Sequence, residues 1–507
     1  MAGVVNLTTN STLTNSTSKK TASLSLFGGS FGDRKLSLSG SFSFVGVRWN
    51  LGGDYVASDG NYPFPSSEFG NTIILERKNS DFRNIGLTLS GVLDVSAWKI
   101  SNRLFVRSTS RGTPGAVLQG KVEQLSAHLY EDDILFLNTS TRKIFDNSLL
   151  SIAGSARYNN LKFRDPDALY RGPNGADDLY STREAMLTIK NENYSTDYKT
   201  TFNVEWTFAE MRGNSFQPDV GKKVQRNAVS FAGSVEKEWK LDSSLVLSTQ
   251  AQARYDVNSN TNNAFTPYFG FLLHKHDYPI RLRGTCSYNF RLPSYNELYY
   301  FNYGTANLQP ERALSFNLGG IWQPDTYLSA EVTGFLINTR DQILAVPISP
   351  ISWSARNIGQ VFSRGIECSA SGQLFDKHLN LRLSYTRQIA TDKTYNSLTY
   401  NKILPAIPQE LVSASFVLRL GETTFGGNMS YSSFRYLTAD NVPESLLPSY
   451  GQLNGFVEHT LNFFSTNCVF RAECNNLLNS NYSVVLNYPL PGRSFRIGLR
   501  LKFSDKE

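Results

Sequence analysis

The chain has 507 residues, yet no apolar run approaches the roughly 18 that a transmembrane helix needs. That excludes helical membrane spans but not strand spans, because a barrel hides its apolar half by alternation. Methionine is scarce, with four residues against 33 Phe and 25 Tyr, a balance that suits strands with aromatic girdles more than helices. Cysteine is as rare, at four, and no CxxC pair offers a zinc site. Cys286, Cys368, Cys468 and Cys474 each alternate in phase with apolar neighbours, as small hydrophobes on a strand face. Cys468 and Cys474 lie along one strand, about six residues apart and beyond bonding reach. Charge of one sign is not concentrated either: the formal net charge is +7, with Lys and Arg scattered. A nucleic-acid surface would gather them into a patch, so none is expected. Dispersed solvated charge and a basic lumen attracting anionic solutes are the two remaining readings. The opening "MAGVVNLTTNSTLTNSTSKK" lacks the basic start and apolar core of a secretory signal. No Ser/His/Asp set, Walker loop or paired-carboxylate motif stands out, so no enzyme activity is expected.

What is present is alternation. In "GRSFRIGLRLKF", Phe495, Ile497, Leu499, Leu501 and Phe503 share one face, while Ser494, Arg496, Gly498, Arg500 and Lys502 share the other. "KLSLSGSFSF" and "VRWNLGGDY" repeat the pattern on either side of a tight turn at Val45-Gly46. The period predicts about 22 strands, from 21–32 to 493–503, with no amphipathic helix, linker or internal repeat. Connections alternate in length. Short turns fall at places such as Asp94-Val95, Leu241-Asp242 and Gly421-Glu422. Long loops fall at about 58–80, 109–122, 166–180, 212–222, 291–311, 340–356, 390–409, 435–449 and 477–492. In an up-and-down barrel every second connection lies on the same rim, and outer-membrane barrels keep periplasmic turns short and external loops long. The fold class is therefore all-β: a transmembrane antiparallel barrel whose apolar faces meet lipid and whose polar faces line a lumen too wide for side chains to fill.

Tyr288 to Gly319, "YNFRLPSYNELYYFNYGTANLQPERALSFNLG", resembles the corresponding region of TonB-dependent outer-membrane receptors. Their F-R-x-P element matches Phe290-Arg291-Leu292-Pro293, and their N-x-x-L-x-P-E element matches, in shortened form, Asn307-Leu308-Gln309-Pro310-Glu311. "RNIGQVFSRGIECSASG", "ILPAIPQELVSAS" and "AECNNLLNSNY" resemble later elements of the family, and "DYVASDGNYPF" and "RGTPGAV" its cobalamin-receptor-like branch in Bacteroidetes-type bacteria. The resemblance implies a Gram-negative outer-membrane location and active uptake of a scarce bulky nutrient, foremost a cobalamin-type corrinoid, with a ferric siderophore as the alternative. It further implies coupling to TonB–ExbB–ExbD through a plug and TonB box, with membrane lipid and lipopolysaccharide around the barrel. Residues 1–19 resemble only the end of a plug and an entry segment, 20–503 the barrel, and 504–507 a short tail. With most of the plug missing, a passive wide pore or an inactive barrel fragment is the rival class, and a soluble β-rich protein a third.

The loop aromatics Tyr295, Tyr299, Tyr300, Phe301 and Tyr303 are the candidate substrate contacts, since clustered rings give a bulky ligand large rigid contact area. Packing among neighbouring loops is the alternative. Phe290, Arg291, Pro293, Asn307, Leu308, Pro310 and Glu311 are expected to shape the base of that loop, with Arg and Glu paired across the rim. No cofactor is required. Asp165, Asp167, Asp177 and Asp178 put four carboxylates in one loop, where calcium is conceivable but the spacing fits no EF-hand. The haem branch of the family that the chain resembles carries a His between its two elements, whereas residues 294–306 contain none, so the resemblance disfavours a haem ligand; His128 is not excluded, and His274, His276, His378 and His459 fall near the periplasmic rim or along a strand.

Overall fold

The computed structural model describes residues 20–68, 71–118, 121–122, 126–218, 220–259, 261–349, 352–463 and 466–504. The expected plug remnant at 1–19 lies outside them. Alternating sequence becomes alternating structure in 22 barrel strands. The first six are β1 (Thr21–Gly29), β2 (Arg34–Phe44), β3 (Val47–Ser58), β4 (Phe82–Val95), β5 (Trp98–Gly112) and β6 (His128–Phe145). Next come β7 (Ser148–Asp165), β8 (Ala176–Tyr194), β9 (Tyr198–Gly213), β10 (Lys223–Lys240), β11 (Leu245–Asn258) and β12 (Ala264–Lys275). They are followed by β13 (Ile280–Arg291), β14 (Glu311–Trp322), β15 (Leu328–Ser349), β16 (Ser352–Leu374) and β17 (Leu379–Asp392). The last five are β18 (Glu410–Leu420), β19 (Thr423–Ser432), β20 (Tyr450–Phe463), β21 (Thr466–Asn475) and β22 (Ser494–Ser504).

Each strand pairs antiparallel with its sequence neighbours, and β1 closes the ring on β22 through Leu24↔Leu501 and Leu26↔Leu499. Closure leaves no unpaired edge among these strands, the condition for crossing hydrocarbon. Ser504 still pairs with Thr21, so the last strand reaches one residue into the expected tail. One rim carries tight turns such as Val45-Gly46, while the other carries long segments with small hairpins of their own, including Tyr62–Glu68 with Asn71–Arg77.

The two faces of the wall differ as the alternation requires. Phe495 and Ile497 are 56% and 71% exposed, as are apolar neighbours all around the ring, and this is the lipid face. Cys286, Cys368, Cys468 and Cys474 share that face and are unpaired. On the inner face, Arg496 bonds Asp33 at 2.6 Å and lies 3.7 Å from Glu473, which also holds Arg471. Arg157 bridges Asp133 and Glu184, and Arg254 bridges Glu205 and Asp256. These lumen cations are paired with carboxylates, so the stretches of wall they form are cross-linked polar surface.

One external connection is more regular than its pattern suggests. Within 340–356, β15 and β16 continue in register from Gln342↔Ile358 to Val346↔Ser354 as a projecting hairpin. Its sequence, "DQILAVPISPISWSAR", carries Pro and Ser that read as turn chemistry, and only the partner strand reveals the pairing.

Candidate functional site in the external loops

The aromatic loop begins where β13 ends. Pro293 is fully buried, and Ser294 opens a five-residue helix, α1 (Tyr295–Tyr299), with a capping box. The Ser294 hydroxyl accepts from the Glu297 amide, and the Glu297 carboxylate accepts from the Ser294 amide at 2.7 Å. Glu297 also receives Arg291 at 3.1 Å, while the other arm of Arg291 donates to Glu311 at 2.8 Å. The loop's first and last residues are thus clamped by one guanidinium between two carboxylates. Glu311 accepts in addition from the Ile343 amide, which ties the clamp to the β15–β16 hairpin. Burial acts to raise the Glu297 pKa, but the bonds from Arg291 and Ser294 outweigh it and hold the carboxyl below its usual range.

Beneath the clamp, Leu298, Leu308, Ile343 and Ala355 form a small apolar core against which Tyr299 and Tyr303 pack. Asn357 fastens the loop to the hairpin: it accepts from the Gln309 amide and donates to the carbonyls of Gln309 and Asp341. The remaining rings turn towards β8–β10. Tyr300 stacks on Tyr180 at 4.2 Å between ring centres, and Tyr180 donates to the Ser215 carbonyl at 2.6 Å. Tyr295 donates to the Ala209 carbonyl at 2.9 Å, with the Arg226 guanidinium over its ring at 5.3 Å. Burial pushes the Tyr295 hydroxyl up to about 12, and raises that of Tyr300 as well. Arg171 lies over the Phe301 ring at 4.1 Å and pairs with Asp178 at 2.8 Å. The structure therefore brings Tyr295, Tyr299, Tyr300, Phe301 and Tyr303 together as the loop's own packing. Phe290 remains on the lipid face of β13, Pro310 is buried, and Asn307 is exposed at the loop's return.

The four loop aspartates are not assembled around one point. Asp177 pairs with Lys162 and Asp178 with Arg171, while Asp165 and Asp167 accept from the amides of Asp167 and Ser126. Among the described residues no group of three His, Cys, Asp or Glu could hold a metal. His128 stands at the external rim, 3.5 Å from Asp81.

A cleft opens elsewhere on the same rim, and sequence reading missed it. It encloses about 430 Å³ between the loops that follow β3, β5, β19 and β21, and is lined by Phe64, Val117, Leu447, Tyr450, Tyr482 and Pro489 among others. Tyr450 and Tyr482 stack at 5.0 Å, and Gln452 donates to the Tyr482 hydroxyl. Tyr62 ties the wall together by donating to the Pro489 carbonyl at 2.8 Å. Behind it, Arg77 is 2% exposed and lies over the Tyr488 ring at 5.7 Å, with one donor on the Pro114 carbonyl. Among the described residues its Nε and Nη1 meet no acceptor, and burial lowers its pKa. No sequence pattern joins these residues, because they come from four loops spread over more than 400 positions. Turn clusters such as "NYPFPSS" and "NYPLPG" were the available signal.

Closed antiparallel strands, short turns on one rim and built loops on the other place the family question. A family model described as TonB dependent receptor-like, beta-barrel matches residues 77–477. The chain belongs to that family. This TonB-dependent receptor barrel is thus an outer-membrane protein of the Gram-negative type, in a family of transport receptors. No curated protein matches it in sequence. Among solved structures, it is similar to a mutant of the ferric enterobactin receptor PfeA of Pseudomonas aeruginosa, with a TM-score of 0.74 at 12% identity, covering 96% of this chain and 81% of that one. The closed form of the ferric-catecholate import receptor Fiu of E. coli K12 also gives 0.74 at 12%, covering 96% and 82%. The siderophore receptor PirA of Acinetobacter baumannii gives 0.72 at 14%, covering 97% and 81%. At such identities the likeness is one of fold. A soluble β-rich protein is excluded.

Proposed function

We propose that the barrel serves TonB-energised uptake of a scarce nutrient too bulky for an ordinary pore, captured by the external loops and coupled to TonB–ExbB–ExbD through a plug. The observation that carries this is the cleft between four loops, an aromatic and polar concavity of the kind that holds part of a large amphipathic ligand. A ferric siderophore is the first ligand class to test, because among the fold-neighbours PfeA is a ferric enterobactin receptor, Fiu a ferric-catecholate import receptor and PirA a siderophore receptor. A cobalamin-type corrinoid is the second, on the strength of the "DYVASDGNYPF" and "RGTPGAV" resemblance. Purified protein is titrated with a ferric catecholate and with cyanocobalamin, with intrinsic fluorescence as the readout. The reading expects saturable binding of one of them that weakens about tenfold in Tyr482→Ala, the loss of roughly one well-packed ring contact. Absence of binding by both, or an unchanged affinity in the variant, sinks this assignment of the cleft.

A further inference from the structure

On the lipid face, strands β12 to β17 carry a groove of about 790 Å³. Its walls include Phe269, Phe316, Leu318, Leu336 and Ile366, and its floor opens where Gly334 presents no side chain outward, while the Phe271 ring covers Gly284. A side chain at Gly334 would meet nothing closer than the Leu318 carbonyl at 3.9 Å, so the notch is real space. A second apolar hollow of about 480 Å³ lies nearer the periplasmic rim on strands β14 to β20, past Ala330, Ala370, Gly372 and Leu383. Two cations head this trough. Arg364 shares the outward face of β16 with Ile366, and Arg387 pairs with Ile366 across the sheet and so shares that face. Arg364 lies over the Phe362 ring at 5.6 Å and makes no ion pair among the described residues. Arg387 has one loose partner, Glu410 at 3.7 Å, and its side chain is 65% exposed.

A guanidinium on the lipid-facing wall of a barrel is costly at the bilayer midplane and costs little near an interface. Arg364 stands about ten residues above the periplasmic end of β16 at Leu374. At strand rise and barrel tilt that is roughly 25 Å, the height of the apolar band. The two arginines therefore sit at headgroup level of the outer leaflet, with an acyl-sized trough running down from them. We infer that this trough binds a single phosphorylated glycolipid of the outer leaflet, its phosphate on Arg364 and Arg387 and one acyl chain laid past Gly334. Charge complementarity selects the phosphate, since two forked donors suit its oxygens and, among the described residues, only Glu410 competes for one of them.

The test uses the whole chain in detergent and native mass spectrometry, with diphosphorylated hexa-acyl lipid A as probe. Wild type is expected to retain one lipid A, and Arg364→Gln with Arg387→Gln to retain about tenfold less, as for one lost charge-assisted contact. Gly334→Leu, which fills the trough and keeps both charges, is expected to lower retention likewise. Arg83→Gln, an exposed outward cation on β4, controls for non-specific loss of charge and should leave retention unchanged. Equal retention by the double variant, or of dephosphorylated lipid A by wild type, overturns the inference. Equal retention of phosphatidylglycerol overturns the glycolipid as occupant. Far-ultraviolet circular dichroism of each variant separates lost binding from a lost fold.

Discussion

Two arginines anchor the external loops in opposite ways. Arg291 lies between the carboxylates of Glu297 and Glu311, each less than one-fifth exposed, and every arm of the clamp is answered. Arg77 is more deeply buried, yet among the described residues it meets one carbonyl and an aromatic face, with two nitrogens unanswered. The first arrangement belongs to a loop that fills its own volume with tyrosines; the second stands behind a cleft that is left open. A loop rich in rings is therefore not thereby a binding surface. Its rings are consumed as packing, whereas open space arises where sparse residues from distant loops fail to fill it.

Breaking the clamp gives the largest expected effect. Arg291→Ala leaves two partly buried carboxylates facing each other, and should cost roughly 2–3 kcal/mol, discounted from the fully buried case because the arginine is half-exposed. Urea unfolding in vesicles measures it, and a change near zero would show that the clamp is incidental. Gly304→Ala comes next. Its added carbon would stand 2.7 Å from the backbone of Leu298 and Tyr299, where the chain cannot yield as a side-chain tip can. Overpacking of this kind costs roughly 1–3 kcal/mol. Proteolytic cleavage within 292–310 should rise, with the barrel strands still protected.

Arg77→Met reverses the sign. A flexible apolar side chain of similar length removes an unanswered buried cation, so stability should rise by roughly 1 kcal/mol or stay level. If unfolding instead becomes easier, Arg77 has an acceptor in solution and the contrast with Arg291 disappears. The same variant sharpens the functional question. Weaker ferric-catecholate binding with unimpaired stability would mean that the unanswered nitrogens serve an anionic ligand.

Legibility followed the same division. The 22 strands and their rims could be read because lipid on one side and water on the other impose a period of two, which each strand carries within itself. The clamp was half legible. Arg291 and Glu311 stand in elements that suggested a rim pair, but Glu297 lies inside the aromatic run, and its capping role needed the geometry of Ser294. The cleft was illegible, since Phe64, Val117, Tyr450 and Tyr482 meet only after the ring has closed. The β15–β16 hairpin was hidden for a similar reason: Asn357, its staple to the loop, shows its three bonds only once Gln309 and Asp341 are beside it.

The smallest expected effect is one of pH. Glu297 has a folded pKa below its ordinary value of 4.5, so its contribution to stability is fully present above that value and is lost as pH falls through the lower, folded one. The aromatic loop should therefore loosen in acid below about pH 4.5, while the Arg77 side keeps its guanidinium charged throughout and shows no matching step. Hydrogen exchange of the 294–305 amides against those of 62–77, from pH 6 to pH 3.5, makes the comparison within one sample. Glu297→Gln should abolish the acid step in the first segment only. If the step persists in that variant, a different carboxylate governs the loop, and Glu311, the other arm of the clamp, is the one to replace next.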